Sequence, residues 1–150
     1  SVSEEEIKIE TNPSWLKVCN IEKPKTGLES KFSYKLTAAM AIYGNDTSDL
    51  DTYNDKICFE DKMINMRDKV KIIPNDNLTN TQSVISIKDG SQDLKNTHDL
   101  SDEIEKSTLE TKIINKSVSL LSKSKSEKIS NILDNPKSNN ASSLIDCLVS

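Results

Sequence analysis

Residues 26 to 45 spell one complete helix, and that helix limits what the rest of the chain can build. Thr26-Gly27-Leu28-Glu29 is a capping box, in which Thr26 accepts from a first-turn amide while Glu29 reaches back to the cap amide. Leu28, Phe32, Leu36, Ala39 or Met40, and Tyr43 then recur at helical spacing, and Gly44-Asn45 supplies a left-handed stop. Ala38, Ala41 and Ile42 lie outside that stripe, so the second half is apolar nearly all round and is expected to be buried on more than one side. Phe32→Ala is then expected to cost on the order of 3–5 kcal/mol as a core truncation. Only 34% of the 150 residues are apolar, below the usual share. One domain with a modest core fits better than a three-layer one.

The strands that such a helix needs are short. Ile7 and Ile9 alternate with Lys8 and Glu10, and a second run at residues 15–19 follows Pro13, which predicts a strand, a turn, then a strand or extended segment. Asp49 and Leu50 lie in a short turn or helix, and residues 61–66 make another single turn. Residues 69–73 and 83–88 alternate as strands around an Asn- and Asp-rich loop, and Asp89-Gly90 is a two-residue hairpin signal that returns residues 92–97 antiparallel. From Ser101 the period is helical. Ser107-Thr108-Leu109-Glu110 and Ser124-Lys125-Ser126-Glu127 are capping boxes, Pro136 ends a helix, and Ala141, Leu144, Ile145 and Leu148 mark a last one. The expected fold class is α+β. An antiparallel sheet of about four strands packs with one long buried helix, in a core over residues 1–100, and closing helices follow over 101–150.

Scarce residue types exclude several chemistries. With glycine only at positions 27, 44 and 90, neither a phosphate-cradling GxxxxGK[ST] loop nor a GxGxxG turn can be written. His98 is the single histidine, and Cys19, Cys58 and Cys147 lack CxxC spacing, so no metal is expected. The odd, widely spaced cysteines fit reduced thiols in a cytoplasmic protein. A net charge of −4 with interspersed signs gives no reason to expect nucleic acid. No stretch has the apolar length of a membrane span. The acidic start is not that of a signal peptide, and opening on Ser1 fits a processed product or a piece of something longer.

Lys23, Lys25, Lys31 and Lys35 precede or line the first long helix, with Lys31 and Lys35 one turn apart. A helix start flanked by lysines and by the hydroxyls of Thr26 and Ser33 can bind a carboxylate; a solvated helix edge accounts for the same lysines. His98 beside Asp99 suggests an acid–base pair, although neighbours on a strand point to opposite faces. Tyr34, Tyr43 and Tyr53 can each donate a phenolic proton, but aromatics at helical spacing are commonly core. The acids at 46, 49, 51 and 55 lack the glycine and closing Glu of a calcium loop.

The run Lys23-Pro24-Lys25-Thr26-Gly27-Leu28-Glu29-Ser30-Lys31-Phe32-Ser33, followed by Thr37-Ala38-Ala39-Met40-Ala41 and by Asp51-Thr52-Tyr53-Asn54-Asp55, resembles the MmgE/PrpD family. Arg67-Asp68-Lys69-Val70, Lys88-Asp89-Gly90 and Leu109 with Lys112-Ile113 fit the same order. The resemblance implies the C-terminal α+β domain of a cofactor-independent enzyme acting on small polycarboxylates. Methylcitrate dehydratase, cis-aconitate decarboxylase and iminodisuccinate epimerase are of this kind. It further implies an all-helical N-terminal domain, absent from this chain, that carries most catalytic residues, an active site in the interdomain cleft, and a homodimer. Where the dehydratase and decarboxylase branches place a tyrosine shortly after the Phe-Ser pair, this chain has Leu36, with Tyr34 and Lys35 beside it. The transferable part is carboxylate binding by Lys25, Lys31, Ser33, Tyr34 and Lys35, without a cofactor.

Two functions follow. One is a wall of a lyase or isomerase active site, inactive alone; the other is a non-catalytic dimerisation or subunit-pairing module from the same family.

Overall fold

The alternation around Ile7 and Ile9 forms a strand, β1 (Glu6–Thr11), that buries Ile7, Ile9 and Thr11 on one face. In the computed structural model, which describes residues 6–89, 92–135 and 141–149, short helical pieces follow: α1 (Gly27–Ser30), α2 (Tyr34–Ile42) and α3 (Asp61–Arg67). Then come β2 (Val70–Pro74), β3 (Gln82–Asp89) and β4 (Gln92–Asp99), and finally α4 (Lys106–Leu121), α5 (Lys123–Asp134) and α6 (Ala141–Val149). The protein is α+β. It divides into two compact units, Ser1–Asp102 and Glu103–Ser150.

The sheet has the order β2-β1-β3-β4 and is mixed. It is antiparallel across β1/β3 and β3/β4, as expected, but parallel across β1/β2, where Ile7 lies beside Val70 and Ile9 beside Ile72. The physical reason is the connection: the helical segment between β1 and β2 is long enough for the crossover that parallel neighbours require. Ile7, Ile9 and Val70 form the sheet side of the core, against Leu36, Ala39 and Met40 of α2 and Met63 and Met66 of α3. The register pairs Asp89 with Gln92, so Asp89 is the last ladder residue and not a turn position. Gly90, Pro136 and the acidic residues 4–5 lie outside the described residues.

The helix expected as one element is two. Ile21 N–H donates to Phe32 O and Tyr34 N–H to Cys19 O, a short antiparallel bridge that pulls Ser33 into an extended conformation. Ser33 then caps a new helix, its Oγ accepting from Leu36 N–H at 3.3 Å. The break resets the helical phase. Leu36, Ala39 and Met40 are fully buried, whereas Phe32, Ala41, Ile42 and Tyr43 face solvent, so α2 is buried on one side only. Phe32 is 38% exposed and is not a core residue. The left-handed stop is present at Gly44, with φ +74°.

Three local expectations change for similar reasons. The run at 15–19 is not extended: Asn12 Oδ1 accepts from Ser14 N–H at 3.0 Å and starts a 3₁₀ turn, Pro13–Lys17, in which Pro13 needs no N–H partner. The capping boxes at Ser107 and Ser124 do not form, because α4 starts at Lys106 and α5 at Lys123, which places both serines inside the first turn. Ser126 instead turns inward and donates to Ser117 Oγ at 2.8 Å.

Candidate carboxylate-binding site

Residues 23–35 hold every expected ligand, but the amides at the start of α1 are engaged by the chain itself. Thr26 Oγ1 accepts from Glu29 N–H at 3.2 Å, and Glu29 Oε2 accepts from Lys25 N–H at 2.6 Å, one residue earlier than a standard capping box. Asp55 Oδ1 accepts from Gly27 N–H at 2.7 Å. Two of the protein's own carboxylates therefore fill this terminus. A helix of four residues also has little dipole to offer an external anion. Beneath it, Cys58 donates to Thr26 O at 3.4 Å, and burial, followed by the charges of Asp55 and Glu29, pushes its thiol pKa up.

The expected ligands separate into three groups. Lys25 and Lys31 reach solvent, with Lys31 Nζ 5.9 Å from the centroid of the Tyr53 ring. Ser33 and Tyr34 turn inward. Ser33 is buried and spends its hydroxyl oxygen on the α2 cap, while Tyr34 packs against the core, where burial raises its phenol pKa despite a hydrogen bond with Thr11. Lys35 is half-buried and donates to Glu22 Oε1 at 3.3 Å.

Composition hides a further cation. Arg67, the single arginine among 20 Lys+Arg, ends α3 and is only 5% exposed. Its Nε–H donates to Asp68 Oδ1 at 2.8 Å. That bond holds the Asp68 carboxyl below its usual range, helped by the charges of Arg67, Lys23 and Lys35. The signal available in the sequence was the rarity of arginine in a lysine-rich chain, since Arg is the cation suited to burial.

His98 forms no acid–base pair with its neighbour. It stands exposed on β4 opposite Ser83, while Asp99 accepts from Ser101 N–H at 2.9 Å, from Ser101 Oγ–H at 2.7 Å and from Gln82 Nε2–H at 2.8 Å. These bonds, led by the Ser101 hydroxyl, hold Asp99 ionised well below the usual carboxylate range.

Among the described residues, no group of three or more His, Cys, Asp or Glu side chains is placed to hold a metal ion, and no helix is long and apolar enough to cross a membrane. Compared with models of known protein families and with curated proteins, the chain finds no match.

Proposed function

We propose that this chain supplies one wall of a binding site for small di- or tricarboxylates, within a cofactor-independent lyase or isomerase of the MmgE/PrpD kind. An all-helical domain outside this chain supplies the opposite wall and the base. The observation that supports this reading is the mixed surface of residues 25–32. Lys25 and Lys31 are exposed there together with Leu28, at 67%, and Phe32, at 38%. Two ammonium groups attract a polycarboxylate. Apolar side chains beside them, once covered by a second domain, exclude water and strengthen that attraction. In the reaction, the cations offset charge that develops next to a carboxylate as a proton is removed. His98, the only imidazole, is solvated and unpaired with Asp99, so the chain alone is expected to turn over nothing.

Titrating the 150-residue chain with citrate tests the reading. Saturable shifts in amide signals of residues 25–35, without dehydration or proton exchange of the acid, are expected; silence across these signals removes it. The second reading, a non-catalytic dimerisation or pairing module, draws on Ile85 and Leu94, which stand exposed around a shallow concavity on the β3/β4 face. A concentration-dependent dimer that ignores citrate favours it.

A further inference from the structure

Among the described residues, β4 is bonded to another strand on one side only. It pairs with β3, from Gln82 opposite Asp99 to Asp89 opposite Gln92, and the sheet order leaves its other edge without a strand. Residues 93–98 are exposed. Sheet edges are commonly blunted by a proline, a bulge, a short strand or a charge on the packed face. β4 runs for eight residues without proline, and its register with β3 is unbroken. Its core-side face holds Leu94 and Asn96, neither of them charged. That face passes from buried Ile7 and Ile9 of β1 to Ile87 and Ile85 opposite them on β3, and from Ile87 to Leu94 on β4. The buried cluster stops at Ile87, so Ile85 and Leu94 are left 44% and 58% exposed around a shallow concavity. Asp93 and Lys95, on either side of Leu94, belong to the opposite face.

Deepening the pairing reading above, on which it rests, we propose that β4 pairs antiparallel with β4 of a second copy of this chain, about a two-fold axis at Leu94. Two-fold pairing is self-complementary, so a contact from residue i to residue j of the partner is made again in reverse. With the axis at Leu94, the two Leu94 side chains meet on the core-side face and extend its apolar surface across the junction. On the outer face, Asp93 of each copy stands opposite the partner's Lys95, which gives two opposite-charge cross-strand pairs. Charge disfavours the adjacent registers. An axis at Lys95 sets lysine against lysine, one at Asp93 sets aspartate against aspartate, and one at Asn96 places Asp93 opposite Asp99. An axis at Thr97 offers Lys95 the carboxylate of Asp99, but Asp99 already accepts from Gln82 and Ser101. Lys95, which on a lone edge discourages pairing, thus selects the register. The dimer joins two four-stranded sheets into one.

Sedimentation equilibrium of the 150-residue chain is expected to give a concentration-dependent dimer, weakened by added salt because both charge pairs are solvated. Asp93→Lys sets like charges opposite each other at both positions, as does Lys95→Asp, and each is expected to raise the dissociation constant about tenfold or more. Mixing the two variants restores opposite charges at both positions, so the mixture is expected to form a heterodimer tighter than either homodimer. If a charge reversal loses its cooperative melt, Leu94→Lys decides, since it brings two ammonium groups together at the axis from an exposed position. A dimer indifferent to all three substitutions overturns the β4 assignment and leaves the pairing reading standing. Weakening by both reversals without recovery in the mixture overturns the axis at Leu94. A monomer at every concentration overturns the proposal and the pairing reading together.

Discussion

Gly27 and Asp55 are joined by one short bond, the Gly27 amide donating to Asp55 Oδ1 at 2.7 Å, which fastens the start of α1 to the 3₁₀ turn at Asp55–Phe59. The approach allows no side chain at position 27, where a Cβ would stand 2.4 Å from Tyr53 O and 2.8 Å from Asn54 Cα. Both obstacles are backbone, so neither can rotate away. Gly27→Ala is expected to cost about 1–3 kcal/mol through forced backbone movement. Asp55→Ala leaves the amide without its charged acceptor and costs about 1–3 kcal/mol. Urea denaturation measures both, and an unchanged midpoint for Gly27→Ala removes the close approach.

Leu36 and Phe32 are one helical turn apart in sequence, yet they differ in environment. Leu36 is fully buried against the sheet, and its truncation to Ala is expected to cost about 2–5 kcal/mol. Phe32 is more than one-third exposed, so Phe32→Ala leaves no closed cavity and costs less than Leu36→Ala. Melting curves of the two variants decide the order. A larger loss at Phe32 restores a continuous helix with Phe32 in the core.

That pair shows how far sequence reasoning reaches. The period-2 pattern located β1, β2 and β3, because each has one face against the core and a side chain on the wrong face is penalised at once. The helical stripe located α2, but it could not reveal the break at residues 31–33. That break depends on the backbone of residues 19–21, and backbone pairing leaves no mark on side-chain periodicity. The parallel β1/β2 pair was hidden likewise, since alternation is the same in either direction. At the site, the lysines were legible as charges and their partners were not. Glu22 lies 13 residues before Lys35 and Asp55 lies 28 residues after Gly27, while Arg67 pairs with its own neighbour Asp68 and its burial is signalled only by the rarity of arginine.

Glu6 bridges two strands, accepting from Lys71 of β2 and from Lys8 of its own strand. These bonds, the Lys71 bond first, lower its pKa from 4.5 to about 2. A carboxyl whose folded value is depressed contributes stability that is present above its unfolded value and lost as pH falls toward the folded one. The contribution of Glu6 should therefore fade between about pH 4.5 and pH 2. Glu6→Gln is expected to flatten the acid limb of the stability curve in that window and leave neutral pH little changed. Added salt should diminish the difference, because the pair is solvated. A carboxyl titration of Glu6 near 4.5 by NMR contradicts the bridge.

Cys19 and Cys58 are both free thiols, and their surroundings set them apart. Cys58 is buried, donates to Thr26 O, and has its pKa raised by burial and by Asp55 and Glu29, so little thiolate is present near neutral pH. Reaction further requires that the α1 and 3₁₀ segments separate, since they cover the sulfur. Cys19 is half-buried in the loop before α1 and needs no such opening. Under native conditions at pH 8, a disulfide reagent followed by peptide mass analysis is expected to modify Cys19 first. Cys58 should follow only at the rate of local opening, and Gly27→Ala, by loosening the same contact, should accelerate Cys58 and leave Cys19 unaffected. Equal rates at the two thiols in the parent chain contradict a closed α1 junction.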